Sequence, residues 1–429
     1  MTAAELRQRI SEGALDIRLS RLYGDEGTAA ARDRYISVLD DFIERYGASL
    51  DASLFSVPGR SELSGNHTDH NHGKVIAASI DLDVIAVAAK TDDCTVRIKS
   101  AGFPEDTVKL DEFKTPRPER FGYSDALIAG VSAALENNGH RTGGFVASTA
   151  SNVLKGSGLS SSAAFEDMIG TIFSHLYNNG EISYVETAQN SQYAENAFFG
   201  KPCGLMDQVA CAAGGAVAID FADPAAPIIE KMDFDLDAFG YRLCIVNTGG
   251  NHADLTDDYA AVPAEMKAVA ARLGHDVLRD VTREEFTAAL PALRVELGDR
   301  AIMRAMHFFA ENDRVDAQKA ALTAKDLDAF MDGVRASGLS SFRYLQNVYT
   351  TKNTAEQGLS LALCLTEDYM ASHGIRGVCR VHGGGFAGTI QAYLPAGNAG
   401  DYASYMDGIF GEGATYILHI RRTGAVKLF

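Results

Sequence analysis

The chain has 429 residues, more than one hydrophobic core usually organises, so two domains are expected. With 46% hydrophobic and 22% charged residues it reads as a soluble globular protein, and a net charge of −18 disfavours nucleic acid or an anionic membrane as partner. The six cysteines form no CxxC pair, which excludes a zinc ribbon or thioredoxin-type motif and leaves free thiols.

The N-terminus has charges spread through it and no apolar core segment, so it is not read as a signal peptide. No apolar run approaches the roughly 20 residues needed to span a bilayer, and a cytoplasmic location is expected. Residues 1–46 read as helix, because Tyr35, Val38, Leu39, Phe42, Ile43 and Tyr46 repeat at helical spacing. The runs SLFSVPG, KVIAASIDLDVIAVAAK, CTVRIKS and DTVKLDEF, separated by turns, suit a mixed sheet. A helix from Tyr123 closes on Asn-Asn-Gly, a C-cap signal. SYVETAQNSQYAENAFFG is predicted as a helix ending at Gly200, and the segments from Gly214 and Tyr241 as strands.

From Asp257 to about Thr350 the chain is predicted mostly helical, followed by a helix at Leu359–Met370. GVCRVHGGGFAGTIQAYLP reads as strand, glycine turn and strand, and ATYILHIRRTGAVKLF as one last strand. Strands interleaved with helices in both halves indicate an α+β chain. The expected domains are 1–220 and 221–429, with a ligand site in the cleft between them.

The densest chemistry lies in Asn152–His175, NVLKGSGLSSSAAFEDMIGTIFSH. Phe165, Met168, Ile169, Ile172, Phe173 and Leu176 mark one apolar helix face. Before it, glycines allow a tight turn, serines are expected to cap the first turn, and the unpaired N–H groups of the helix start suit phosphate. Lys155 precedes the glycines and no Gly-Lys-Ser/Thr follows them, so this is not a Walker loop.

GRSELSGNHTDHNHGK concentrates Asn66, His67, Asp69, His70, Asn71 and His72. The spacing matches no HExxH pattern, and extended backbone would send neighbouring ligands to opposite sides. A loop that hydrogen-bonds a polyhydroxylated substrate uses these donors and acceptors more fully. In AENAFFGKPCGLMDQVA, Gly200, Pro202 and Gly204 break the helix between Glu195 and Asp207. A carboxylate after such a break can lodge in a cleft as base or metal ligand. VHGGGFAG matches GxGxxG at Gly383, Gly385 and Gly388, yet a strand pattern follows, so its glycines are read as allowing close backbone approach, not as a dinucleotide site.

Taken together and in this order, these segments resemble galactokinases of the GHMP small-molecule kinase superfamily over about residues 50–429. The signature GRxNLIGEHTDYNxG is similar to Gly59–Gly73, the phosphate loop to Gly156–Ala164, and PCGxMDQ to Pro202–Gln208. The third glycine motif is similar to His382–Gly388, and the segment ending in Ser-Glu-Tyr to His252–Tyr259. The resemblance implies two α+β domains with the active site between them, and ATP-dependent phosphorylation of the anomeric hydroxyl of galactose. It implies Asp207 as catalytic carboxylate with Arg60 beside it, and Mg²⁺ held by Ser162 and Glu195. Sugar contacts would come from Asn66, His67, Asp69, Gly204 and Tyr259. ATP would lie along Gly156, Ser157, Gly158, Leu159, Ser160, Ser161, Ser162 and Ala163. The implied partners are a small-molecule sugar and ATP, on a monomer or weak homo-oligomer.

The departures from the pattern cluster on the sugar loop. Asn66 stands where the family carries a glutamate that accepts a hydrogen bond from the sugar's far end, and exchanging a charged for a neutral acceptor costs about tenfold in affinity. Glu62, Ser64 and His70 replace Asn, Ile and Tyr. A 1-kinase for N-acetylgalactosamine, galacturonate or arabinose is therefore the alternative. A non-catalytic galactose sensor is a further one, and the complete run Ser160–Ala164 speaks against it.

Overall fold

The computed structural model describes residues 1–153, 158–250 and 255–429. The chain opens with helices α1 (Ala3–Ser11) and α2 (Asp16–Tyr46). A capping box starts α1: the Thr2 hydroxyl accepts from the Glu5 N–H, and the Glu5 carboxylate accepts from the Thr2 N–H. Helix α2 is kinked at Gly24, whose φ of 73 lies in the left-handed region.

Then follow β1 (Ala52–Ser64), β2 (Lys74–Lys90), β3 (Thr95–Ser100), β4 (Glu105–Lys109), α3 (Ser124–Asn137), β5 (Phe145–Ser151) and α4 (Ser161–Tyr177). Helices α5 (Tyr184–Tyr193) and α6 (Met206–Ala213) lead to the hairpin β6 (Ala216–Asp220) and β7 (Ile228–Met232). Strand β2 is covered on both faces and shows the two-residue period of a strand in its packing. Ile85, Val87 and Ala89 join Leu19, Tyr35 and Phe42 of α2, while Val84, Ala86 and Ala88 join Ile128 of α3 and Met168 and Phe173 of α4.

The remaining elements are β8 (Tyr241–Asn247), α7 (Thr256–Arg272), α8 (Arg283–Thr323), α9 (Leu327–Ser340), α10 (Gly358–Ser372), β9 (Val378–Val381), β10 (Thr389–Pro395), α11 (Ala396–Phe410), β11 (Thr415–Leu418) and β12 (Val426–Lys427). The described residues build two sheets. The first has the order β12-β1-β2-β5-β3-β4, with β6 and β7 continuing from the other end of β2, and the second has the order β11-β8-β10-β9. In β8, Leu243 and Ile245 pack toward Val315 of α8 and Phe330 of α9, and Cys244 and Val246 toward Ala362 of α10 and Tyr402 of α11.

Two features differ from expectation. The C-terminal segment is two short strands, not one: Tyr416 pairs with Ile245 in the second sheet, and Val426 pairs with Ser56 in the first. Between them the buried Arg421 guanidinium bonds Asp83 at 3.1 Å and Ser56 at 2.7 Å, and Gly424 sits where a Cβ would lie 2.1 Å from the Ala212 carbonyl. With β7 paired to β6 and β12 to β1, the first sheet takes in residues beyond 220. Among the described residues no helix is long and apolar enough to cross a membrane.

Candidate active site

The site forms where β1, the start of α4, the start of α6 and the glycine turn between β9 and β10 meet. Gly59 is needed there, since a Cβ on it would lie 2.7 Å from the Leu159 carbonyl, the same oxygen that accepts from the Arg60 N–H at 3.1 Å. The Arg60 side chain is buried; its Nε donates to Asp207 Oδ1 at 2.8 Å and its Nη2 lies 2.6 Å from the same oxygen, while Nη1 donates to the Gly158 carbonyl. Ser160 donates its hydroxyl to Asp207 Oδ2 at 2.5 Å.

That bond replaces the cap expected of this serine. Ser160 has a left-handed φ of 59 and makes no side-chain cap to α4, because its hydroxyl is turned to the carboxylate. Burial alone would raise the Asp207 carboxyl. The Arg60 charge, the Ser160 hydroxyl and the more distant Lys201 outweigh it, and the group lies below the usual carboxylate range.

Beside this cluster, Glu195 sits in a wide helical turn, Ala194–Phe198, that ends α5. Its Oε1 accepts from Ser162 Oγ at 3.4 Å and from the Lys201 ammonium at 2.7 Å, and its Oε2 from Gln208 Nε2 at 2.9 Å. Gln208 also reaches Glu166 Oε2 at 3.3 Å, leaving Glu166 Oε1 buried without a partner. Burial and the neighbouring Glu195 charge push the Glu166 carboxyl well up. A hard oxygen pair that already holds an ammonium suits Mg²⁺ in its donor chemistry.

Farther along, Gly204 faces Asp69 so closely that a Cβ would lie 2.9 Å from Asp69 Oδ2. His67 donates from Nε2 to the Gly384 carbonyl at 2.8 Å, and Tyr259 donates its hydroxyl to the Gly385 carbonyl at 2.6 Å. A Cβ on Gly384 would be 2.6 Å from the Tyr259 ring, which is why this turn is glycine. Burial holds the His67 ring neutral, pushing it down to about 4. His382 ties the turn to β1, with Nε2 3.1 Å from Ser61 Oγ and Nδ1 2.9 Å from Thr389 Oγ1.

The structure therefore brings Arg60, Gly158, Ser160 and Asp207 together, Ser162 with Glu195, Asp69 with Gly204, and His67 with Tyr259 across the glycine turn. Asn66 points elsewhere. It is 1% exposed, its Nδ2 donates to the Gly383 carbonyl at 2.7 Å and to Glu62 Oε1 at 3.3 Å, and its Oδ1 accepts from Asn347 Nδ2 at 2.9 Å. Glu62 in turn is bonded by the buried Arg380, and Glu311 Oε1 accepts from the Asn66 N–H at 3.4 Å. Leu159 and Ala163 are buried, while Gly156, Ser157 and residues 252–254 lie outside the described residues.

Lys201, Gln208, Asn347 and Arg380 were missed by sequence reasoning. Lys201 and Gln208 adjoin or belong to the PCGLMDQ run and could have been found there; Asn347 and Arg380 lie hundreds of residues from Asn66 and Glu62, which they bond, and carry no local signal. A cavity of about 630 Å³ lined by Thr248, Gly250, Leu255, Thr350, Leu359 and Phe386 opens beside the contact between the Phe386 and Tyr259 rings.

The fold, with its two sheets and interleaved helices, is that of the GHMP small-molecule kinases. The GHMP kinases N terminal domain matches residues 126–215. The crystal structure of Methanococcus jannaschii mevalonate kinase shares the fold at 15% identity, with a TM-score of 0.60 over 86% of this chain and 98% of that one. Within this class the galactokinase galactose-binding signature matches residues 40–90. A galactokinase of Streptomyces coelicolor is 33% identical over 363 residues, 84% of this chain and 89% of that protein. The crystal structure of Lactococcus lactis galactokinase complexed with galactose is 25% identical, with a TM-score of 0.75 over 90% of this chain and 98% of that one. The chain belongs to the galactokinase family.

Proposed function

We propose that the chain transfers the γ-phosphoryl group of ATP to the anomeric hydroxyl of galactose. The observation that carries this reading is the Asp207 carboxylate, fixed at both oxygens by Arg60 and Ser160, at the start of α6 and next to the Asp69–Gly204 contact. Phosphoryl transfer asks mainly for positioning and charge neutralisation. A carboxylate oxygen has lone pairs to spare, so Asp207 can still accept the sugar hydroxyl. Held below the usual range, it is a weak base; it orients the hydroxyl and takes the proton as the bond to phosphorus forms.

Arg60 keeps Asp207 ionised and links it to the Gly158 carbonyl, so one guanidinium joins the carboxylate to the phosphate loop. The first-turn amides of α4 meet the phosphates. Ser162 and Glu195 would hold Mg²⁺, which supplies charge neutralisation at the β- and γ-phosphates when bound. Asp69, Gly204, His67 and Tyr259 shape the sugar side, with Asn66 acting on it through the turn at Gly383. The free thiols suit an enzyme of the reducing cytoplasm.

The test is ADP release with Mg-ATP and galactose, N-acetylgalactosamine, galacturonate, glucose and arabinose. Turnover on galactose above the others is expected. Turnover confined to another sugar would overturn the assignment and make residues 62–70 the specificity switch.

A further inference from the structure

The loop joining Glu195 to α6 carries Lys201 between Gly200, whose φ is 77, and Pro202. The Lys201 N–H donates to the Glu195 carbonyl at 3.1 Å, so the side chain starts beside the residue that its ammonium reaches. Nζ lies 2.7 Å from Glu195 Oε1; the glutamate side chain is 3% exposed and the lysine side chain 61%. Such a pair has a buried end that requires a cation and a solvated end that can leave. The oxygen concerned is the one Ser162 Oγ faces at 3.4 Å, while Oε2 is held by Gln208. Ammonium and hydroxyl thus converge on a single oxygen, and the unpartnered, buried Glu166 Oε1 leaves a further acceptor beside Gln208.

We propose that Lys201 is a tethered cation that occupies the Glu195–Ser162 position in the nucleotide-free enzyme and vacates it when Mg²⁺ arrives with ATP. The proposal rests on the reading of Glu195 and Ser162 as the Mg²⁺ ligands. Lys201 keeps the buried Glu195 carboxylate paired between turnovers, lowers the affinity of the nucleotide-free site for bare metal, and on leaving frees its ammonium to face the phosphates.

The test is Mn²⁺ binding to nucleotide-free enzyme, followed by electron paramagnetic resonance, for the wild type, Lys201→Met, Lys201→Arg and Glu195→Gln, with thermal midpoints in EDTA and in Mg²⁺. Removing the competing charged bond in Lys201→Met is expected to tighten Mn²⁺ binding by at least about tenfold. Its midpoint is expected to fall in EDTA and recover in Mg²⁺, whereas Lys201→Arg retains wild-type behaviour and Glu195→Gln loses Mn²⁺ binding. Unchanged Mn²⁺ affinity and Mg²⁺ response in Lys201→Met, with binding lost in Glu195→Gln, would overturn the role of Lys201 alone. Unchanged binding in Glu195→Gln would overturn the metal-ligand reading and the proposal with it.

Discussion

Replacing Asn66 by glutamate, the residue the family signature carries there, is expected to damage this protein. Asn66 Nδ2 donates to the Gly383 carbonyl at 2.7 Å and to Glu62 Oε1 at 3.3 Å, and a carboxylate would turn an acceptor toward both. It would also add a buried charge beside Glu62 and Glu311, whose counter-ions Arg380 and Arg314 are already committed. A buried charge without a partner costs about 3–5 kcal/mol, and Asn66→Glu should lose that much stability. Glu62→Asn should lose about 3 kcal/mol, because Arg380 keeps only Ser337 at 2.8 Å and Glu311 at 3.9 Å.

Glu62 and Asn66 are the family's Asn and Glu with their places exchanged, and the two side chains touch. The double variant Glu62→Asn/Asn66→Glu restores one carboxylate to the pair, so it should be more stable than the sum of the singles by at least about 1 kcal/mol. Urea midpoints at pH 7 for the four proteins decide the matter. A wild-type midpoint in Asn66→Glu, or strict additivity in the double variant, would refute the reasoning.

Gly204→Ala places a methyl 2.9 Å from Asp69 Oδ2, so Asp69 must shift. The KM for sugar should rise about tenfold or more while that for ATP changes little, given how steeply rate depends on substrate placement; equal rises in both would contradict the sugar-side placement. Asp167 is fully buried with neither oxygen hydrogen-bonded, and burial pushes its carboxyl well up, with the nearby Ser191 hydroxyl weighing the other way without bonding geometry. Its neutral form is the folded form. The stability tied to it is complete below the unfolded value near 4 and is lost as pH rises toward the folded value. Asp167→Asn removes that loss, so the variant should gain on the wild type by up to about 1.4 kcal/mol per pH unit as pH rises above the unfolded value, and parallel urea midpoints would reject it.

The sequence carried the parts of this fold that local periodicity encodes. The α4 face from Phe165 to Phe173 and the strand-turn-strand around Gly383 follow from spacing that neighbours enforce. Strand β7 was not readable, because Ile228–Met232 is largely exposed and has no buried stripe. The split C-terminal segment was hidden for another reason: Arg421 reads as a surface residue, and Asp83 and Ser56, far away in sequence, make it a buried one. In the site, the helix break pointed to Asp207 and Glu195, while Arg60 was named only through the family resemblance. The partners of Asn66 could not be seen, since Glu311, Asn347 and Arg380 come to it through tertiary packing.

Turnover by Asp207→Asn tests the account most directly. With saturating Mg-ATP and galactose, ADP release should fall by about 10²–10⁴-fold against the wild type, while calorimetry finds both substrates still bound. Near-normal turnover in the variant would contradict the role given to Asp207 and the mechanism built on it.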